Sequence, residues 1–166
     1  MLDQLPSSVQ IHIFTDFLYD AFVRTFRKRF CIFLPDNPQK HAYFTWDMDI
    51  YADFMIDLLT HLEPRFEPQG KVLIDELQEV LEVIMFMNGK FDLGFELNGK
   101  KSYVIRYSNT SSTVQNAGAL IGDHSCTFNK QSRFIYKTVS PCDGFFIRKK
   151  SWMDVLTTHS YVARSF

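Results

Sequence analysis

Cysteine, net charge and long apolar runs are all scarce in this sequence. The three cysteines, Cys31, Cys126 and Cys142, form no CxxC pair, and an odd, scattered set excludes a disulfide framework and a zinc ribbon. They read as buried or incidental thiols in a reducing compartment. The formal net charge of -1 excludes a general attraction to nucleic acid or an anionic membrane. No uninterrupted apolar run approaches the roughly 18 residues of a membrane span. The opening MLDQLPSSV lacks the basic-then-apolar order of a signal peptide. Histidine is sparse as well. His12, His41, His61, His124 and His159 supply no HxH pair for one strand face, so a metal site is not expected. There is no GxSxG, and DHSC sets His124 and Cys126 two residues apart without a third partner. Asp75, Glu76 and Glu79 read as a solvated turn rather than a working carboxylate pair. Catalysis is therefore not expected.

Aromatic and apolar residues are plentiful. Phenylalanine occurs 17 times and hydrophobic residues make up 46% of the 166 positions, which excludes a disordered chain. Val9, Ile13, Phe14, Phe17, Leu18, Ala21 and Phe22 recur at helical spacing, predicting a helix over about 8–29 capped by Ser7 or Ser8. Its end, RTFRKRF, places Arg24, Arg27, Lys28 and Arg29 where cations suit the helix dipole. LPDNPQK is a turn-rich break, with His41 in the loop beyond it. Tyr51, Phe54, Met55, Leu58, Leu59 and Leu62 predict a second helix over about 47–62, ended by Pro64.

The period then changes to two. Val72 and Ile74 alternate in KVLID. Asn88-Gly89 and Asn98-Gly99 both read as two-residue hairpin turns, giving a three-stranded meander in which Phe91, Leu93, Phe95 and Leu97 share a face. SNTSSTVQNAG reads as a loop. Strands resume at RFIYKTV and GFFIRK, and SWMDVLTTH reads as a short helix with Ser151 as a possible cap. Helices, then seven or eight strands, then a helix amount to an α+β fold with a β-sandwich or jelly-roll core.

Four fragments in order carry a resemblance. They are Pro68, Gly70 and Leu73 before a strand; FMNGKFDLG; GALIGD; and CDGFFIRKKSWMDVL. Together they resemble the cyclic-nucleotide-binding domain, in the form that follows the C-linker of cyclic-nucleotide-gated, hyperpolarisation-activated and ether-à-go-go-type cation channels. The likeness covers about 5–156. It implies an eight-stranded antiparallel, jelly-roll-like β-roll with N-terminal helices and a short C-terminal helix. Implied boundaries are a C-linker-like segment at 1–46, the domain at 47–158, and a tail or the start of a lid helix at 159–166. The implied function is regulation of a cation (potassium) channel by cAMP or cGMP, without other cofactors. Channel subunits or a transmembrane pore domain are the implied partners, on the cytoplasmic side of a membrane. A domain of the same fold acting by contact alone is the alternative.

The implied ligand-binding set is Gly122, Asp123, His124, Ser125, Cys126, Lys130, Ser132 and Arg133. Gly122 and Asp123 match the family's glycine-acid pair, with Asp one methylene shorter than the usual Glu. Ungapped counting sets the family's phosphate-binding arginine on Ser132, with Arg133 next and Lys130 as a second phosphate partner. The loop FNKQS looks turn-like where the family has a short helix. DELQEVLE also lacks the glycine that the family usually has between its second and third strands.

Overall fold

The structure is a computed structural model and describes residues 6–34, 43–109 and 118–164. Leu5, His41, the break at 35–40 and the loop at 110–117 lie outside the described residues. The chain divides into two compact units, Met1–His61 with Asp154–Phe166, and Leu62–Met153.

In the first unit the expected long N-terminal helix is broken. Helix α1 (Ser7–His12) starts directly after Pro6, whose carbonyl accepts from Val9 and Gln10, so no serine occupies the cap position. A π-helical stretch, Ile13–Leu18, follows, in which the Tyr19 N–H reaches back five residues to Phe14 O at 2.8 Å. Thr15 contributes to this break: its Oγ1 donates to Ile11 O at 2.8 Å, in competition with the regular ladder. Tyr19 then leaves helical geometry and α2 (Asp20–Phe26) begins. Phe22 and Phe26 stack at 4.6 Å. Helix α3 (Asp49–Thr60) buries the expected stripe of Tyr51, Phe54, Met55, Leu58 and Leu59. Tyr51 Oη donates to Phe30 O at 2.7 Å, which anchors α3 beneath the end of α2.

The second unit is the roll. Its strands are β1 (Glu63–Glu67), β2 (Val72–Ile74), β3 (Glu82–Leu97), β4 (Lys100–Asn109), β5 (Ala119–Ile121), β6 (Ile135–Thr138) and β7 (Cys142–Arg148). All pairings are antiparallel. Seven strands stand among the described residues rather than eight, and one reason is plain. Asn88-Gly89 is not a hairpin turn: β3 runs straight through it. Before this point β3 pairs with β7 and β5; after it, β3 pairs with β6 and β4. A strand handed from one set of neighbours to another must bend, and the dipeptide that tolerates a turn also tolerates the bend, with Gly89 at φ 111°. Asn98-Gly99 is the expected hairpin turn, with φ of 51° and 72° at its two residues.

The first half of β3, Val83–Phe86, is buried on both faces with exposures of 0–1%. Each such side chain contributes roughly 1.5–3 kcal/mol of burial. With Ile121, Ile135 and Ile147 these residues form the centre of the roll. Helix α5 (Lys149–Thr158) starts from the end of β7, and α6 (Ser160–Ala163) follows. Ser151 lies inside α5 and does not cap it. Trp152, fully buried, donates from Nε1 to Thr127 Oγ1 at 2.9 Å and ties the first turns of α5 to the segment after β5.

Candidate functional site

The segment that follows β5 builds the site. Gly122 has φ 89°, and a Cβ there would meet Glu82 O and Val80 Cγ1, each at 2.8 Å. Only glycine meets both demands. From this left-handed start a short helix, α4 (Asp123–Thr127), runs out, closed by Cys126 N–H to Gly122 O at 2.8 Å. The sequence reads as a polar loop here, so α4 is a correction. Its anchors are tertiary: Cys126 is buried, and Thr127 accepts the Trp152 bond. The turn-like residues act at its end. Asn129 takes the left-handed conformation at φ 50°, and Lys130 N–H donates to Ser125 O at 2.9 Å, a Schellman closure.

The next residues are pinned by backbone. Gln131 bridges to Glu79, Ser132 N–H donates to Gln78 O, and Leu77 N–H donates to Ser132 O, the last two at 2.9 Å. Ser132 is 3% exposed, and its hydroxyl donates to Phe134 O at 2.7 Å. Arg133 and Phe134 form a bend ahead of β6. Strand alternation therefore does not govern Arg133, which is exposed.

Gly122, Asp123, His124, Ser125, Lys130, Gln131, Ser132, Arg133, Phe134 and Tyr136 line one pocket of about 240 Å³. Seven of the eight residues in the expected ligand set are thus brought together. Cys126 alone turns inward, with Sγ at 3.6 Å from Val80 O. Burial pushes its thiol up to about 11, so it is no nucleophile at neutral pH. Gln131, Phe134 and Tyr136 are pocket residues that sequence reading missed; the aromatic pair at i and i+2 in RFIY was the available signal. Burial raises the Tyr136 phenol, with Asp123 and Tyr107 adding to the effect, so it faces the pocket as a neutral group.

The charged side chains of the pocket are unspent. Asp123 and Arg133 form no ion pair or hydrogen bond with a described residue. Lys130 has only the Phe128 ring beneath it, at 5.5 Å. At the start of α4 the first backbone N–H groups lack intrahelical acceptors. Free backbone donors, the cations Lys130 and Arg133 and the Asp123 carboxylate thus stand around one small concavity. Among the described residues no group of three or more His, Cys, Asp and Glu side chains is arranged to hold a metal ion.

No protein-family model and no curated protein matches the sequence. Solved structures do. The regulatory domain of Toxoplasma gondii PKA, crystallised with cAMP, superposes with a TM-score of 0.58 at 12% identity, over 83% of this chain and 44% of that one. The Thermus thermophilus catabolite activator protein gives 0.54 at 16% identity, over 68% and 50%. A putative cyclic nucleotide binding protein from Ruegeria pomeroyi gives 0.56 at 15%, over 68% and 47%. The roll has the cyclic-nucleotide-binding-domain fold. This chain spans half or less of the length of those proteins, and at such identities the fold is what they share. Among the described residues no helix is long and apolar enough to cross a membrane.

Proposed function

We propose that this chain is a regulatory cyclic-nucleotide-binding domain of a cation channel of the potassium-channel type, coupling cAMP or cGMP binding to gating. The observation that carries this reading is Arg133, which lines the same pocket as Gly122 and Asp123 and is not held by a carboxylate of any described residue. In this reading the Arg133 guanidinium pairs with the exocyclic phosphate oxygens. The N–H groups at the start of α4 add donors. The Asp123 carboxylate accepts from the ribose 2′-hydroxyl. The pocket is smaller than the roughly 300–1,000 Å³ of sites that enclose a whole ligand. It suits the phosphate and ribose, with the purine outside. Residues 1–46 then serve as the C-linker-like segment, 47–158 as the domain and 159–166 as a tail or the start of a lid. The partners are the other channel subunits and the pore, and the site lies on the cytoplasmic side of the membrane.

A second reading, a domain of this fold that acts by contact without ligand, is favoured by Ser132. It occupies the position expected for the arginine, and its hydroxyl is consumed within the backbone. Isothermal titration with cAMP and with cGMP separates the two. Ligand binding predicts heat with at least one nucleotide and a loss of about tenfold or more in affinity for Arg133→Ala, a charge-assisted bidentate pair. Silence at millimolar nucleotide in both proteins leaves the contact reading standing.

A further inference from the structure

An open groove of about 740 Å³ lies where β7 turns into α5, wholly inside the unit Leu62–Met153. It shares no lining residue with the pocket after β5. Leu81, Phe146 and Met153 give it an apolar lining. Phe146 and Met153 are half-buried and form a recessed floor, while Leu81 is 62% exposed. The Lys149 N–H donates to Leu81 O at 2.8 Å and holds that leucine beside the start of α5. Arg148, Lys149 and Lys150 set three cations in the lining against one carboxylate, Glu82, which already faces Arg65 NH1 at 2.7 Å. Lys149 is held by Asn129 at 2.7 Å and Glu79 at 3.3 Å. Arg148 pairs with Glu63 at 2.8 Å, but both side chains are exposed, and such a pair contributes little and is readily exchanged. Lys150 is exposed and makes no ion pair with a described residue.

We propose that this groove docks an amphipathic helix of a partner protein, one whose apolar stripe is flanked by carboxylates. Its apolar side chains lie on Leu81, Phe146 and Met153, and its carboxylates meet Lys150 and Arg148. The geometry narrows the occupant to this form. Phe146 of β7 is paired with Glu63 of β1 on one side and Ile84 of β3 on the other, so no strand edge is open here to an extended peptide. A recessed floor receives side chains that project from a helix, whereas a lipid surface takes apolar side chains that protrude into it. The charge left over in the lining is positive, which selects an acidic partner over a basic one. The inference is independent of whether a nucleotide binds.

Fluorescence anisotropy tests this with a labelled helix-forming peptide of about 14 residues, leucine on one face and glutamate on both flanks, at about 50 mM salt. Saturable binding is expected, with amide NMR shifts centred on Leu81 and residues 146–153. Leu81→Ser and Lys150→Glu change exposed side chains, and each is expected to weaken binding about fivefold or more. Lys100→Glu makes the same charge change on an exposed residue of β4 that lines neither the groove nor the pocket. It is expected to stay within about twofold of the parent chain. A peptide with lysine in place of glutamate is expected not to bind. Absence of saturation by about 1 mM acidic peptide overturns the proposal. So does equal binding of the lysine peptide, or an equal loss in Lys100→Glu and Lys150→Glu, which reduces the effect to net charge. Binding to phosphatidylserine vesicles that depends on Leu81 and Lys150, with none to the peptide, assigns the groove to a membrane and overturns the proposal as well.

Discussion

At the scale of single residues, the backbone shows how this sequence meets the demands of its fold with unusual choices. The turn between β2 and β3 is one example. DELQEVLE has no glycine, yet a residue there must adopt a left-handed backbone, and Leu77 does so at φ 60°. A leucine side chain in that region costs about 1–2 kcal/mol, and Leu77 recovers little of it by burial, since it is 68% exposed. Leu77→Gly is therefore expected to raise stability by about 1 kcal/mol, partly offset by the freedom glycine adds to the unfolded chain. Thermal unfolding should show a midpoint about 2–4 °C higher. A lower midpoint would mean that Leu77 is held by more than its backbone. Gly122, in contrast, was recognisable from the resemblance of GALIGD to the family's glycine-acid motif, and it takes the left-handed backbone, at φ 89°, that glycine adopts without strain.

Among the elements, the edge strand β1 is tied to the roll by two arginines, Arg148 of β7 on Glu63 at 2.8 Å and, less exposed, Arg65 of β1 itself. Arg65 Nε donates to Glu67 Oε1 at 2.6 Å, its NH1 reaches Glu82 Oε1 at 2.7 Å on β3, and its guanidinium lies 5.2 Å from the Phe146 ring centroid of β7. Glu67 is 8% exposed, so its carboxylate depends on this partner. Arg65→Met keeps the stem that packs and removes the charge. It leaves a nearly buried carboxylate unpaired, which costs about 2–3 kcal/mol. Urea unfolding should register that loss, and a much smaller one in Arg65→Met/Glu67→Gln, where both charges are gone. If the double variant is no better than the single one, the ring contact rather than the ion pair holds the strand. EPRFE did not announce this network, because period-two reading shows which residues share a face and not which strand lies beside them.

Across the whole molecule, the buried thiols and phenols set the response to alkali. Burial holds the Cys126 thiol at about 11 and raises that of Cys142. It also raises Tyr136 and Tyr19, and pushes Tyr51 up to about 12, with Cys31 adding to the effect at Tyr51. These acids are neutral in the folded state at pH values where the unfolded chain has begun to ionise. The native protein binds more protons there, so stability falls as pH rises. The contribution of Cys126 is fully present below about pH 9 and is lost through about pH 11. Urea midpoints at pH 7.5, 9 and 10.5 are expected to fall across the last interval, together with release of phenolate absorbance. An unchanged midpoint at pH 10.5 would show that these groups already ionise in the native state.

The sequence alone determined the α+β order, the apolar stripe of α3 and the Asn98-Gly99 hairpin. All of these are local, since periodicity, turn chemistry and spacing act over a few residues. Tertiary structure decided the rest. It made Asn88-Gly89 a bend, because the two halves of β3 have different neighbours. It made DHSCT a helix, because Cys126 and Thr127 are anchored from elsewhere. It also placed Arg133, which is exposed, in a bend beside the pocket. Counting along the chain leaves that arginine one residue after the position the family resemblance implies. Backbone bonds from Gln78 and Leu77 fix Ser132 inside and leave Arg133 in a bend at the pocket, where strand alternation does not apply. Those bonds join segments more than 50 residues apart, a distance over which local pattern carries no information.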